Sequence, residues 1–134
     1  MTPNNTSSGA LVGKRVLVIE DEALVGLLIE DVLVELGCEL AGRASRLEEA
    51  LEKAKSLPFE IAILDVNLNG QPTFPVADVL IQRRLPFVFA TGYGPAGIPA
   101  AMQTVPILHK PFQQSELEKA LLAALSAEPT PRPD

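Results

Sequence analysis

The chain is poor in several residue types, and each shortage limits what the protein can be. It has one cysteine (Cys38), one tyrosine and no tryptophan among 134 residues. A lone cysteine excludes an internal disulfide and fits a reducing compartment. No apolar run approaches the roughly 20 residues of a membrane-spanning helix, and residues 1–9 lack the apolar core of a signal peptide. These features predict a cytoplasmic location.

Positive charge is also scarce. The chain carries 11 Lys and Arg against 17 Asp and Glu, a net charge of -6. Nucleic acids and anionic membranes select basic surfaces, so neither is an expected partner. With 47% hydrophobic residues the chain can bury a single core. Residues 1–13 are expected to form a flexible tail, residues 14–127 one domain, and residues 128–134, which are rich in proline, a disordered tail.

Short apolar runs alternate with helical patterns along this domain. Five runs predict strands: Arg15–Ile19, Cys38–Gly42, Ile61–Leu64, Phe87–Ala90 and Val105–Leu108. The alternation predicts an α/β fold, (βα)5, with a parallel sheet and helices on both faces. Glu39 and Pro106 interrupt the second and fifth runs, which favours edge positions for these strands. This agrees with the flavodoxin-like strand order 2-1-3-4-5.

The helical segments differ in how clearly they are defined. The first helix is predicted to bury four apolar residues at helical spacing: Leu24, Leu28, Val32 and Leu36. Pro111 is expected to begin the last helix. Residues 92–104 contain Gly and Pro repeatedly after Thr91, so a helix there is expected to be short.

Polar residues directly follow four of the predicted strands. They are Glu20-Asp21-Glu22, Asp65, Thr91 and Lys110. In an open parallel sheet, ligands bind beyond the carboxyl ends of the strands, at the point where the strand order reverses. We therefore expect Glu20, Asp21, Asp65, Thr91 and Lys110 to converge on one site.

That group of side chains suits phosphoryl transfer. Carboxylates close together require a cation, and oxygen ligands without His or Cys favour Mg²⁺. Lys110 and Thr91 would supply a positive charge and a hydroxyl donor for phosphoryl oxygens, and Asp65 would be the nucleophile.

Each residue also has an ordinary structural interpretation. The acidic triplet could complement a helix N-terminus. Asp65 and Thr91 could be turn residues, and Lys110 could simply precede a helix. The occurrence of all of them at four strand ends favours a site. His109 is interpreted as structural, because neighbouring side chains on a strand point to opposite faces.

The residues quoted above resemble the receiver domain of two-component response regulators. The matching segments are Val18-Ile19-Glu20-Asp21-Glu22, Leu64-Asp65-Val66-Asn67-Leu68-Asn69-Gly70, Ala90-Thr91-Gly92 and Lys110-Pro111-Phe112. The resemblance covers residues 14–127. Phe89-Ala90-Thr91-Gly92-Tyr93 is further similar to the signature of FATGUY receivers, a subfamily linked to stress signalling in alphaproteobacteria.

The resemblance implies a function and a ligand set. Asp65 would accept a phosphoryl group from a phosphohistidine of a sensor kinase or phosphotransfer protein. Asp21, Asp65 and the Asn67 backbone carbonyl would bind Mg²⁺, and Glu20 would act through water. Thr91 and Lys110 would hold the phosphoryl group, and the Lys110-Pro111 bond is expected to be cis.

The resemblance also implies a signalling role. The protein would be a single-domain response regulator rather than an enzyme. It would serve as a phosphorelay intermediate, a phosphate sink or a switch that binds a downstream protein.

Two departures from the family concern how the signal leaves the site. Most receivers carry Tyr or Phe three residues before the lysine, where this chain has Ile107. The segment after Tyr93, part of the usual output face, is rich in Gly and Pro. We therefore expect Tyr93, together with Thr91, to act as the switch through ordering of a loop.

Other functions fit the residues less well. A receiver-shaped protein-binding module that is never phosphorylated would be expected to lose such site residues. A Mg²⁺-dependent phosphatase would need a second acid two residues after Asp65, where Asn67 stands. A nucleotide-binding Rossmann domain would need a Gly-rich loop after the first strand.

Overall fold

Five parallel strands form the central sheet of the part of the chain that the computed structural model describes, residues 8–92 and 97–126. They are β1 (Arg15–Ile19), β2 (Glu39–Ala44), β3 (Ile61–Asp65), β6 (Phe87–Thr91) and β7 (Ile107–His109). A separate antiparallel hairpin follows β3 and consists of β4 (Asn67–Leu68) and β5 (Gln71–Pro72). The sheet order is β2-β1-β3-β6-β7. The predicted flavodoxin-like topology, with the two weakest strands at the edges, is confirmed.

Helices cover both faces of the sheet. They are α1 (Ser8–Leu11), α2 (Ala23–Glu35), α3 (Leu47–Ser56), α4 (Phe74–Gln82) and α5 (Gln114–Ser126), with a 3₁₀ turn at Ala100–Met102. Alternate residues of β1 enter different cores. Leu17 and Ile19 pack with α3 and α4, whereas Val16 and Val18 pack with α1, α2 and α5. Among the described residues, no helix combines the length and apolar character needed to cross a bilayer.

Helix α2 uses a different face from the predicted one. Leu24 and Leu28 are 77% and 61% exposed, while Gly26, Ile29 and Leu33 are buried against the sheet. The prediction was wrong for Leu24 and Leu28 but is confirmed for Leu36, which is buried, and Val32 is half-buried against the core. Helix α2 is apolar on nearly every side, so more than one stripe satisfies the helical period. The neighbouring strand decides which stripe is buried.

The N-terminal segment also departs from the prediction. Residues 8–13 were expected within a flexible tail, but they include α1, and Leu11 is completely buried. The Leu11 carbonyl accepts a hydrogen bond from Cys38 Sγ at 3.5 Å, and Gly13 N–H donates to the Gly37 carbonyl at 2.8 Å. The tail prediction is corrected for these residues because Leu11 fills a gap in the core beside α5. Residues 1–7 and 127–134 lie outside the described residues.

Some boundaries shift by a few residues. Helix α5 begins at Gln114 rather than at Pro111, and β2 extends to Ala44. Between β6 and β7 the described residues contain one short 3₁₀ turn, as the Gly and Pro content predicted. Residues 93–96, which include Tyr93, lie outside the described residues, so the predicted switch remains a prediction.

Candidate functional site

The polar residues at the strand ends meet at one edge of the sheet. Pairing of Ile19 with Leu64 places Glu20 beside Asp65, and pairing of Asp65 with Ala90 places Thr91 one residue further along the adjacent strand. Glu20, Asp65 and Thr91 are nearly buried, with 1%, 6% and 4% of their surface exposed. Parallel pairing thus brings together residues that lie far apart in the sequence.

Three carboxylates form the acidic part of this site. One oxygen each of Glu20, Asp21 and Asp65 lies within 4.8 Å of the others. Glu20 and Asp65 are buried, while Asp21 is half-buried two residues before α2. Such proximity is unfavourable for three negative charges unless a cation compensates them.

Lys110 supplies one compensating charge. Its Nζ donates a hydrogen bond to Asp65 Oδ2 at 2.8 Å and lies 2.9 Å from Glu20 Oε1. Glu22, which is exposed and was not predicted as a site residue, lies 3.6 Å from the same nitrogen. The lysine reaches the acidic cluster because β7 lies beside β6 at this end of the sheet.

Burial and charge shift the pKa values of this group. Desolvation raises the pKa of Glu20 to about 7, and the nearby Asp65 charge adds to this effect, although the Lys110 hydrogen bond opposes it. Burial alone lowers the pKa of Lys110, but its hydrogen bonds to Asp65 and Glu20 outweigh burial and raise it. Lys110 is therefore a permanent cation at neutral pH.

The residues after Asp65 fix its position. Thr73 Oγ1 donates to the Asp65 carbonyl at 2.6 Å, and Asn67 N–H donates to Asp65 Oδ1 at 3.1 Å. Thr73 is completely buried and was missed by the sequence analysis. In the sequence, Thr73 is recognisable only as a hydroxyl residue directly before a helix. An ordinary N-cap residue would give the same pattern.

A cleft of about 770 Å³ opens over the cluster. Among the described residues it is lined by Asp21, Glu22, Asp65, Val66, Asn67, Pro72, Phe74, Thr91, Gly92, Gly97 and Lys110. The predicted residues Asp21, Asp65, Asn67, Thr91 and Lys110 thus all line the cleft. Glu20 does not line it but contacts Lys110, which does. Carboxylate, hydroxyl and ammonium groups therefore face one space that can admit a phosphoryl group.

Three further residues near the site were singled out in the sequence: Pro111, His109 and Ile107. The Lys110-Pro111 peptide bond is cis, as the resemblance implied. His109 is exposed at the end of β7 and does not line the cleft. Ile107, which stands where most receivers carry an aromatic residue, is half-buried against the core beneath α3 and α4.

The donor set fits a hard divalent cation. All three candidate ligands are carboxylates, the type that Mg²⁺ prefers. Lys110 Nζ donates its hydrogen bond to Glu20 Oε2 at 3.1 Å. Glu20 Oε1 is buried and accepts no hydrogen bond from the described residues, although the Lys110 charge lies 2.9 Å away. The positive charge of Lys110 compensates the negative charge of Glu20, and a bound cation would add a second positive charge.

Comparisons with known proteins identify the family of the chain. The model of the response regulator receiver domain family matches residues 16–122. The transcriptional regulatory protein PdtaR of Mycobacterium tuberculosis is 31% identical over 130 residues, which is 94% of this chain. This chain spans 63% of the length of PdtaR.

Two solved structures have the same fold. SdrG from Sphingomonas melonis Fr1 is 38% identical with a TM-score of 0.76, and the match covers 87% of this chain and 98% of SdrG. A PhyR stress response regulator is 28% identical with a TM-score of 0.73, over 88% of this chain and 47% of PhyR. The family match over most of the chain shows that this protein belongs to the response regulator receiver domain family.

Proposed function

We propose that the protein is a phosphoryl-accepting response regulator and that Asp65 is the residue phosphorylated. The observation that carries the proposal is the position of the Asp65 carboxylate, which lines an open cleft and lies within hydrogen-bonding distance of Lys110. Asp65 is nearly buried yet reachable through the cleft, and an acceptor for group transfer needs both properties. The donor would be a phosphohistidine of a sensor kinase or of a phosphotransfer protein.

The transfer step requires little chemistry from the protein beyond positioning. A carboxylate oxygen of Asp65 attacks phosphorus and forms an O–P bond, while the N–P bond of the phosphohistidine breaks. The electron pair of that bond goes to the imidazole nitrogen, which takes up a proton. Lys110 and Thr91 bind oxygens of the transferred group and neutralise part of its charge.

The proposed cofactor is Mg²⁺. Asp21, Asp65 and the Asn67 carbonyl would hold it, with Glu20 acting through water. The bound cation would neutralise the carboxylates and the incoming phosphoryl oxygens. The support for this assignment is the all-oxygen donor set and the crowding of three acids.

The proposed signalling role is that of the FATGUY subfamily of receivers. Phe89-Ala90-Thr91-Gly92-Tyr93 matches the FATGUY signature, and the similarity to a PhyR stress response regulator supports a role in stress signalling. The phosphorylated protein would act as a relay intermediate, a phosphate sink or a switch that binds another protein in the cytoplasm. Because Ile107 replaces the usual aromatic residue, Tyr93 is the proposed reporter of phosphorylation.

Intact-mass measurement tests the central proposal. The protein is incubated with Mg²⁺ and acetyl phosphate, and the expected result is one phosphoryl adduct that is lost in Asp65→Asn. Asp78→Asn is a matched control because Asp78 is an exposed carboxylate on α4. An adduct that persists in Asp65→Asn, or no adduct with acetyl phosphate or any phosphohistidine donor, would overturn the proposal and favour a binding module that is not phosphorylated.

Tyr93→Ala tests the output route. The variant should still accept the phosphoryl group but should lose the change in partner binding that follows phosphorylation. Tyr93 is the only tyrosine in a chain without tryptophan, so its fluorescence reports on this position directly. Unchanged phosphotransfer together with unchanged partner binding would remove Tyr93 from the mechanism.

A further inference from the structure

The hairpin formed by β4 and β5 contacts two carboxylates of the acidic cluster through its backbone. Asn67 N–H donates to Asp65 Oδ1 at 3.1 Å, and Asn69 N–H donates to Asp21 Oδ2 at 2.8 Å. The first contact is local, but the second joins residues 48 positions apart. One short element therefore fixes side chains that come from two different strand ends.

The hairpin itself is held firmly at its tip. Asn69 and Gly70 adopt φ angles of 51° and 85°, the left-handed pair that a tight two-residue hairpin turn requires. Gly70 N–H donates to Asn67 Oδ1 at 2.8 Å, and Asn69 Nδ2 donates to the Ser45 carbonyl at 3.3 Å. The tip is thus tied both to its own base and to the end of β2.

A carboxylate held in this way has a restricted orientation. The hydrogen bond from Asn69 goes to Asp21 Oδ2, and no described residue donates a hydrogen bond to Oδ1. Asp21 is half-buried, and the described residues show no side-chain donor bonded to it, so this backbone contact is its main constraint. Removal of a group that orients a metal ligand in this way commonly weakens metal binding by roughly 10- to 100-fold.

We propose that the hairpin Asn67–Pro72 is a positioning element that orients Asp21 for divalent cation binding. The inference rests on the proposed function, since it concerns the same cation site. Because coupling between binding and conformation is reciprocal, cation binding in turn stabilises the hairpin. The acidic cluster is then one side of a cation site whose other side is the hairpin backbone.

Gly70→Ala tests the proposal by straining the turn. An alanine at a φ of 85° is strained although no atom lies within 4 Å of the added Cβ, so the turn must relax and carry Asn69 N–H away from Asp21. Gly13→Ala is the matched control, since Gly13 has a φ of 79°, equally open surroundings and no contact with the site. Mg²⁺ binding to the whole chain is measured by calorimetry, and folding of each variant by circular dichroism.

We expect Gly70→Ala to bind Mg²⁺ roughly tenfold more weakly and Gly13→Ala to bind like the wild type. Asn69→Gly adds no strain and removes only the tie to Ser45, so its expected loss is smaller, about two- to fivefold. Amide NMR signals of Asn69 and Gly70 should move on Mg²⁺ addition in the wild type. These shifts are a readout that does not depend on phosphorylation.

The outcomes separate this inference from the proposed function. Wild-type Mg²⁺ affinity in a folded Gly70→Ala variant, or an equal loss in Gly70→Ala and Gly13→Ala, would overturn the positioning role and leave the cation site intact. A wild-type protein that binds no Mg²⁺ would overturn the cation site and this inference together.

Discussion

Lys110 Nζ lies 2.8 Å from Asp65 Oδ2 and 2.9 Å from Glu20 Oε1, so two nearly buried carboxylates share one ammonium group. The side chain of Lys110 is itself only 16% exposed. Water therefore screens these charges poorly, and the three groups depend on one another. With Asp21 close by, the site carries more negative than positive charge, which is the physical reason for expecting a cation there.

Replacing Lys110 by methionine should destabilise the protein. The change leaves the charges of Glu20 and Asp65 without their partner, and uncompensated buried charges of this kind cost about 3 kcal/mol. Added Mg²⁺ should recover part of the loss because it restores positive charge. Urea unfolding with Mg²⁺ or with a chelator measures both effects. Lys119→Met is the control, since Lys119 is exposed on α5; equal stability of the two variants would contradict the shared-cation interpretation.

Leu11 should contribute to stability although it lies in a segment expected to be flexible. Its side chain is completely buried, whereas its neighbour Val12 is 62% exposed. Leu11→Ala should lower the free energy of unfolding by about 2–5 kcal/mol because it leaves a cavity. Val12→Ala should change it by less than about 0.5 kcal/mol. Urea denaturation of both variants decides whether residues 8–13 belong to the folded domain, and similar small losses would show that they do not.

The central strands could be predicted because runs buried on both faces give a strong local signal. Arg15–Ile19 has the bounds that were expected, and the polar residues at the strand ends follow from those bounds. Once the order of the sheet was predicted, Asp65 and Lys110 had to approach each other. The site was therefore predictable from local patterns and one topological rule.

The remaining features depend on contacts between distant residues. Two-residue strands such as β4 carry no periodicity. Asn69-Gly70 marks a turn, but nothing local indicates that Asn69 N–H donates to Asp21, 48 positions away. The buried face of α2 depends on Gly26 packing beside Arg43 of β2. Such contacts leave no mark in a single sequence, because neither residue alone identifies its partner.

Gly26 provides a test of that packing. A glycine in the middle of a helix usually destabilises it by about 1 kcal/mol relative to alanine. Here a Cβ at position 26 would overlap the guanidinium of Arg43, which forms an ion pair with Glu30 at 2.8 Å. Gly26→Ala should therefore give no gain in stability, as Arg43 must move and weaken that pair.

The same replacement should behave differently when Arg43 is absent. In an Arg43→Ala background, Gly26→Ala should stabilise the protein by about 1 kcal/mol, since the overlap no longer exists. A double-mutant cycle measured by urea unfolding gives the coupling between the two positions. If the two changes are additive within about 0.3 kcal/mol, the contact does not explain why glycine is needed at position 26.

The ion pair between Arg15 and Glu60 makes stability depend on pH. Arg15 donates to Glu60 from Nη2 and from its backbone N–H, each at 2.6 Å, and these bonds lower the pKa of Glu60 to about 2 from an ordinary value of 4.5. A lowered folded-state pKa stabilises the protein above the unfolded value and loses that effect as pH falls. Glu60→Gln should thus be less stable than the wild type near neutral pH, and the gap should close between about pH 4.5 and 2. Urea unfolding across that range, with the exposed Glu52→Gln as control, checks this; a gap that stays constant with pH would show that the charge of Glu60 does not stabilise the fold.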